Sequence, residues 1–346
     1  MEQQKLESRV QDIFQSQGFE LEKTGTRFVA EKDEVSKQMQ VFSSEEYSRE
    51  EVPEQAEPGH IVFIDEGLEE VHSEIENEVS IVGEIEDREE YDLPSYELIG
   101  DIAVINELTV PEDETVQGIR EHHPHVETIL LKEEPLEGEF RVGGYSKLYG
   151  EKTETTHTEF GCCYRVDPTK AYFSERLATE RKRVADRVEP GEKVLVIGAG
   201  VGPYPILIAR VSEPGNVVAV EKNPEAVKFL RENIELNSVS NVVEVVEGDA
   251  REVEFGDKFD RVVIAAPEFA DRFLETAAQN LENGGLINYY SFREGENWSA
   301  VIDEIRAALP GDAGFEVLEK VVCGQRGPDV DRVCIDLQVT KQPDDL

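Results

Sequence analysis

After Pro190 and Gly191 the chain alternates short apolar runs with stretches whose apolar positions recur at helical spacing. The apolar runs are Lys193 to Ile197, Val217 to Glu221, Val242 to Glu247, Arg261 to Ala265 and Leu286 to Ser291. Near-continuous apolar strands separated by helices are what a parallel sheet covered on both faces requires. The region therefore predicts a Rossmann-like α/β domain. Phe315 to Val322 and Arg332 to Val339 are two further strand candidates. The last has no helix before it and is expected to insert antiparallel at the sheet edge.

Upstream the texture differs. Tyr172 to Arg187 places Leu177 and Val184 near helical spacing and reads as a helix. YELIGDIAVINEL and VETILLKEE are short strand-like runs on either side of a helix-like Glu112 to His122. They predict a small α+β domain ending near Val166, which HIVFID at His60 to Asp65 is expected to join. Leu6 to Gln17 reads as a helix, and Ser43 to Pro58, with few large apolar residues, as a solvated loop. The expected division is an acidic segment over 1–88, the α+β domain over 89–166 and the Rossmann-like domain over 167–346.

Composition changes the picture of the surface. The chain of 346 residues carries 76 Asp+Glu against 35 Lys+Arg, a formal net charge of -41, yet 39% of it is apolar, enough to build a core. The acids are spread along the whole chain instead of forming one tail, which favours adaptation to a saline cytoplasm over an acidic partner-binding surface. At molar salt, charge repulsion is screened to a range of roughly 3 Å. The four cysteines form no CxxC pair, and Pro124 interrupts the histidines at 122, 123 and 125, so no metal site is expected there, only an exposed loop. No apolar run approaches the roughly 20 residues of a membrane span, and the amino terminus lacks a signal pattern. The expectation is a soluble, cytoplasmic protein with reduced thiols.

Candidate chemistry begins at KVLVIGAGVGPYPILIA, where Gly198, Gly200 and Gly202 stand between a strand and a helix. Glycines there permit a tight turn and close approach of backbone N–H groups to a ligand, as in NAD, FAD and S-adenosylmethionine enzymes. Glu221 ends the second strand, where it can accept both ribose hydroxyls. Asp249 follows the third strand near the expected adenine amine, and Ala265, Ala266 and Pro267 follow the fourth, at the ligand-binding edge of such sheets. A dinucleotide dehydrogenase would suit Glu221 equally, but no separate substrate domain follows the fold. GAGVGP followed by EGDA matches S-adenosylmethionine-dependent methyltransferases better.

The run GEFRVGGYSKLYGEKTETTHTEFGCCYRVDPTKAYFSERLATERKRV, followed by GAGVGP, NPEAV, GDA and GGLINYYSF, resembles one family specifically. It is similar to the archaeal and eukaryotic tRNA guanosine-37 N1-methyltransferases and their sister aminocarboxypropyl transferases of wybutosine synthesis. The resemblance spans Tyr91 to Val339. FSERLATER and the pair Tyr289 and Tyr290 look like the methyltransferase branch. The resemblance implies methylation of N1 of guanosine 37 in tRNA by a monomeric enzyme using S-adenosylmethionine. The alternatives are aminocarboxypropyl transfer and a non-catalytic tRNA-binding relative.

N1 of guanine is protonated, so its attack on a sulfonium methyl needs a base and stabilisation of the charge developing on O6. The resemblance assigns the base to Glu180 and the O6 contact to Arg141, and places Pro267 against the target base. Read without it, Glu180 is an i,i+3 partner of Arg183 or an i,i+4 partner of Arg176 on an exposed helix. Arg176 and Arg181, with Lys170, Lys182, Arg183 and Arg187, form the least acidic stretch and the expected contact with RNA phosphates. The chain departs from the family at Ala265, where an Asn is usual, at Val196 in place of an Asp, and at Glu175 in place of a Pro.

Overall fold

The structure, a computed structural model, describes strands at 20–24, 27–32, 35–41 and 61–63 and residues 93–133, 143–327 and 329–341. The chain forms two compact units, Met1–Tyr91 and Asp92–Leu346. In the first, β1 (Glu20–Thr24), β2 (Arg27–Lys32), β3 (Val35–Val41) and β4 (Ile61–Phe63) pair antiparallel in sequence order. The HIVFID segment thus supplies β4, whose Phe63 pairs with Met39, and does not join the downstream α+β sheet as expected. The expected helix at Leu6 to Gln17 and loop at Ser43 to Pro58 lie outside the described residues.

The second unit opens with the hairpin β5 (Tyr96–Ile99) and β6 (Ile102–Ile105), then α1 (Glu112–His122), β7 (Thr128–Lys132) and β8 (Tyr145–Tyr149). Parallel pairing of β6 with β7 requires a crossover, and α1 provides it over the expected residues. Three acids in its first turn and Arg120 and His122 in its last complement the helix dipole. Only part of the histidine cluster is the expected exposed loop: His122 ends α1 and bonds Gly118 O at 2.7 Å, His123 after it bonds the Tyr96 hydroxyl at 2.8 Å, and His125 is exposed in the turn that follows.

The sheet β5–β8 buries both faces. Ala103, Ile105 and Ile129 pack under Ile119 of α1. Ile99, Ile102, Val104 and Leu130 instead enter a core that also contains Val166, Val184, Val194 and Val196. The core therefore runs without a break through the expected 166/167 boundary. Between the two sheets lie a hairpin, β9 (Thr155–Glu159) and β10 (Cys162–Val166), a 3-10 turn at Glu175–Leu177 and α2 (Ala178–Ala185). The helix expected over 172–187 is confined to this shorter span.

The rest is β11 (Lys193–Ile197), α3 (Pro203–Val211), β12 (Asn216–Glu221), α4 (Pro224–Leu236), β13 (Val243–Glu247), β14 (Phe259–Ile264), α5 (Leu274–Asn280), β15 (Leu281–Glu294), α6 (Trp298–Ala308), β16 (Ala313–Gly327) and β17 (Val330–Lys341). The seven strands lie in the order β13-β12-β11-β14-β15-β17-β16. The first five run parallel, and β17 is antiparallel to both neighbours. Its reversal was expected, its place was not: β17 is interior and β16 forms the edge. Burial explains the exchange. Val333 to Leu337 are buried in succession, as an interior strand needs, whereas β16 alternates half-buried and exposed positions. The order also sets the carboxyl ends of β11 and β14 side by side, at the point where the sheet reverses its winding direction, which is where such sheets bind ligands.

A ligand cavity at the carboxyl edge of the sheet

The turn from β11 into α3 needs left-handed backbone: Gly198 has φ +74° and Gly202 φ +100°. Side-chain space is also closed there, since a Cβ on Gly202 would lie 2.6 Å from Leu230 Cδ1 and 2.8 Å from Ile206 Cδ1. These constraints draw the loop tight over the end of β12, where Glu221 holds it. One Glu221 oxygen accepts from Gly200 N at 2.7 Å, and the other accepts from Lys222 N at 2.9 Å and Asn223 N at 2.7 Å. Burial raises the Glu221 carboxyl above its usual range, partly offset by these three N–H groups, which favour the charged form. Asn223 in turn caps α4, accepting from Glu225 N at 3.0 Å.

Asp249 follows β13 and is buried. It accepts from Arg251 Nε at 2.9 Å and Nη2 at 2.5 Å, and from Lys222 Nζ at 3.2 Å. The Arg251 guanidinium, ahead of the opposing effect of burial, holds the Asp249 carboxyl well below the usual range.

Gly198, Gly200, Glu221, Asp249 and Pro267 all line one cavity of about 460 Å³. Gly202 stands behind it and starts α3. Ala265, Tyr172 and Arg332 line the same cavity, as do Phe269 and Phe273 on the 3-10 segment Pro267–Phe273. Of these, Tyr172, Arg332 and the two phenylalanines escaped the sequence reading. The aromatic spacing in PEFADRF was a signal for the two phenylalanines. Arg332 carried none, since its approach depends on β17 being interior.

Glu180 does not line the cavity. It is 4% exposed, accepts from Arg183 Nε and Nη2 at 2.7 Å each, and from the Tyr290 hydroxyl at 2.6 Å. Arg183 continues to Asp336 at 2.7 Å, so the i,i+3 pairing is present but buried, inside a network joining α2 to β15 and β17. Of the basic stretch, Arg181 and Arg183 are likewise directed inward. Arg181 is 2% exposed, and its guanidinium donates twice to Glu159, at 2.7 and 2.5 Å, and to Ser174 O at 3.1 Å. A buried guanidinium engaged in this way has no surface with which to meet an RNA phosphate, so the expected role of Arg181 gives way to a structural one. Arg176 remains surface-exposed, donating to Ser95 Oγ at 3.2 Å and Tyr96 O at 3.3 Å, with Glu97 3.6 Å from Nε. Lys182 pairs with Asp186 at 2.5 Å and Lys170 with Asp167 at 2.8 Å. Arg141 lies outside the described residues.

Residues 155–313 match the TRM5/TYW2 methyltransferase domain. The tRNA (guanine(37)-N(1))-methyltransferase Trm5b of Pyrococcus abyssi is 40% identical over 255 residues, 71% of this chain and 75% of the relative. A tRNA(Phe) (4-demethylwyosine(37)-C(7)) aminocarboxypropyltransferase of Methanocaldococcus jannaschii is 36% identical over 195 residues, 56% of this chain and 77% of the relative. Among solved structures, the complex of aTrm5 and tRNALeu superposes with TM-score 0.66 and 25% identity, covering 96% of this chain and 97% of that one. M. jannaschii TYW2 in complex with AdoMet superposes with TM-score 0.57 and 27% identity, covering 72% of this chain and all of that one at 100%. The chain therefore belongs to the TRM5/TYW2 methyltransferase family.

Proposed function

We propose that this chain is an S-adenosylmethionine-dependent tRNA methyltransferase acting on N1 of guanosine 37. The observation that carries the reading is the cavity, with Gly198, Gly200, Glu221 and Asp249 on one flank, in a chain 40% identical to a relative with that named activity. The residues fit the cofactor. Backbone N–H groups occupy three of the four Glu221 lone-pair sites, two on one oxygen and one on the other, which leaves that second oxygen able to accept from a ribose hydroxyl. Asp249 offers a buried acceptor for an exocyclic amine, and Ala250, Phe269 and Phe273 give an apolar bed for a purine ring. When bound, S-adenosylmethionine supplies an electrophilic methyl group on a cationic sulfur.

The protein must then place guanine N1 and take its proton. Glu180 is the proposed base, by resemblance, and its present partners set a condition on that role. The target must displace the Tyr290 hydroxyl or the Arg183 fork from the carboxylate before the proton can arrive there. Arg141 is proposed to face O6, Pro267 to pack on the base, and Arg176 to meet the backbone of the tRNA.

The aminocarboxypropyl relative supports a second reading, transfer of the cofactor's other side chain to a wyosine-type base. Incubation at high KCl with cofactor labelled either on the methyl or on the carboxyl group, and with tRNA transcripts bearing G37 or A37, separates the readings. Methyl label confined to the G37 transcript is expected. Carboxyl label would favour the second reading. Tight tRNA binding without label would identify a non-catalytic relative, and methyl label on the A37 transcript would overturn guanosine 37 as the target.

A further inference from the structure

Arg332 stands out in so acidic a protein. The chain carries 76 acids against 35 bases, and most described arginines are paired with a carboxylate. Of the three cavity arginines, Arg251 is paired with Asp249, whereas Arg272 and Arg332 have no described carboxylate within ion-pair distance; Arg272 is exposed and lies over Phe269, and Arg332 is the half-buried one. Its recorded partner is neutral: Nη2 donates to the Tyr172 hydroxyl at 3.1 Å. Two rings flank it, with the guanidinium carbon 6.0 Å from the Tyr172 centroid and 5.7 Å from that of Phe292, its cross-strand neighbour on β15. Arg326, whose guanidinium carbon is 4.5 Å from the other contact ring, Phe292, differs in being paired to Glu268 at 3.2 Å.

A guanidinium oriented by one hydroxyl and two rings, with its remaining donors unmatched by carboxylates, is built to receive an electronegative group. Its position indicates which one. From β12, which carries Glu221, to β17, which carries Arg332, is four strand spacings, about 19 Å at the usual separation. The two residues therefore bracket the cavity at its nucleoside-binding flank and at its far flank. Midway between them β14 ends in Ala265, Ala266 and Pro267, which offer no side-chain donor.

We infer that Arg332, oriented by Tyr172 and Phe292, reads the target base, its guanidinium donating to the O6 and N7 edge of guanine. This rests on the guanosine-37 reading above. An Arg fork matches the two guanine acceptors and is opposed by the N6 amine of adenine, so it provides selectivity from a residue outside the glycine loop and the strand-end acids. Donation to O6 also stabilises the charge that develops there as N1 loses its proton. Tyr172 is a positioning residue, acting through Arg332.

The test uses the full chain and anticodon stem-loops carrying guanosine or 2-aminopurine at position 37; the latter lacks O6. Wild type should bind the guanosine loop about 10- to 100-fold more tightly, and R332Q should lose most of that preference, the remainder belonging to the proposed contacts of Arg141 with O6 and Glu180 with the N1 proton. R332K, which keeps the charge but loses the fork, should recover only part of it, and Y172F should fall between wild type and R332Q. Affinity for S-adenosylhomocysteine, read by calorimetry, should stay within about twofold in all three, which also reports that the variants are folded. Retention of the full preference by R332Q would overturn the inference, as would a loss of S-adenosylhomocysteine affinity by R332Q while Y172F binds normally, which would assign Arg332 to the cofactor. Wild type that prefers the guanosine loop but transfers no methyl group would instead overturn the methyl-transfer reading, leaving Arg332 as the reader of the base.

Discussion

Glu221 collects three backbone N–H groups, from Gly200, Lys222 and Asn223, so one carboxylate both ties the glycine turn to β12 and faces the cavity. The two duties are separable by an isosteric change. E221Q keeps the volume but puts an NH2 group where an oxygen accepts an N–H, opposing at least one backbone donor and removing the charge that strengthens the acceptor left for a ribose hydroxyl. Loss of a charge-assisted bond of this kind is worth about 1.5–3 kcal/mol, so affinity for S-adenosylhomocysteine should fall by tenfold or more in a calorimetric titration. Unchanged affinity would remove Glu221 from the cofactor site. Its type and position at a strand end were legible in the sequence because βα turns recur with fixed spacing. Which backbone groups it would bind, and that Arg251 and Lys222 would neutralise Asp249, depended on how adjacent loops meet.

At the scale of elements, α2 acts as a keystone between the hairpin, the 3-10 turn and the carboxyl-terminal strands. Its Arg181 reaches Glu159 on β9 and its Arg183 reaches Asp336 on β17. Both are buried pairs, in which removing one partner leaves a desolvated charge and costs about 3–5 kcal/mol. R181A should therefore shift the urea midpoint strongly downward, whereas K182A, at an exposed i,i+4 pair with Asp186, should leave it nearly unchanged. Similar midpoints for the two variants would contradict the structural role of Arg181. A row of arginines and lysines on one helix reads from sequence as a solvated basic face. Helical spacing identifies residues that share a face, but not the element that covers it, and here Glu159 and Asp336 lie 22 and 153 residues from their arginines.

Over the whole molecule the formal charge of -41 is the dominant electrostatic fact. Its self-repulsion weakens as salt shortens the Debye length from about 8 Å at physiological ionic strength to about 3 Å at 1 M. The midpoint of thermal unfolding should therefore rise steeply between 0.15 and 1 M KCl and level off beyond, measured by circular dichroism; a flat or falling midpoint would count against charge repulsion as the limit on stability. Sequence alone settled the Rossmann-like domain, the family resemblance and the strand ends at which Glu221 and Asp249 enter the cavity. Each rests on short-range pattern: apolar period, a glycine turn, an acid at a strand end. Tertiary structure decided the interior place of β17, the continuity of the core across residue 166, the burial of Glu180 and Arg181, and the approach of Arg332 to Tyr172 across 160 residues of chain. The physical reason is common to all four. Sequence period shows which side of an element is apolar or charged, while the partner that satisfies or strands each charge is chosen only when distant elements pack.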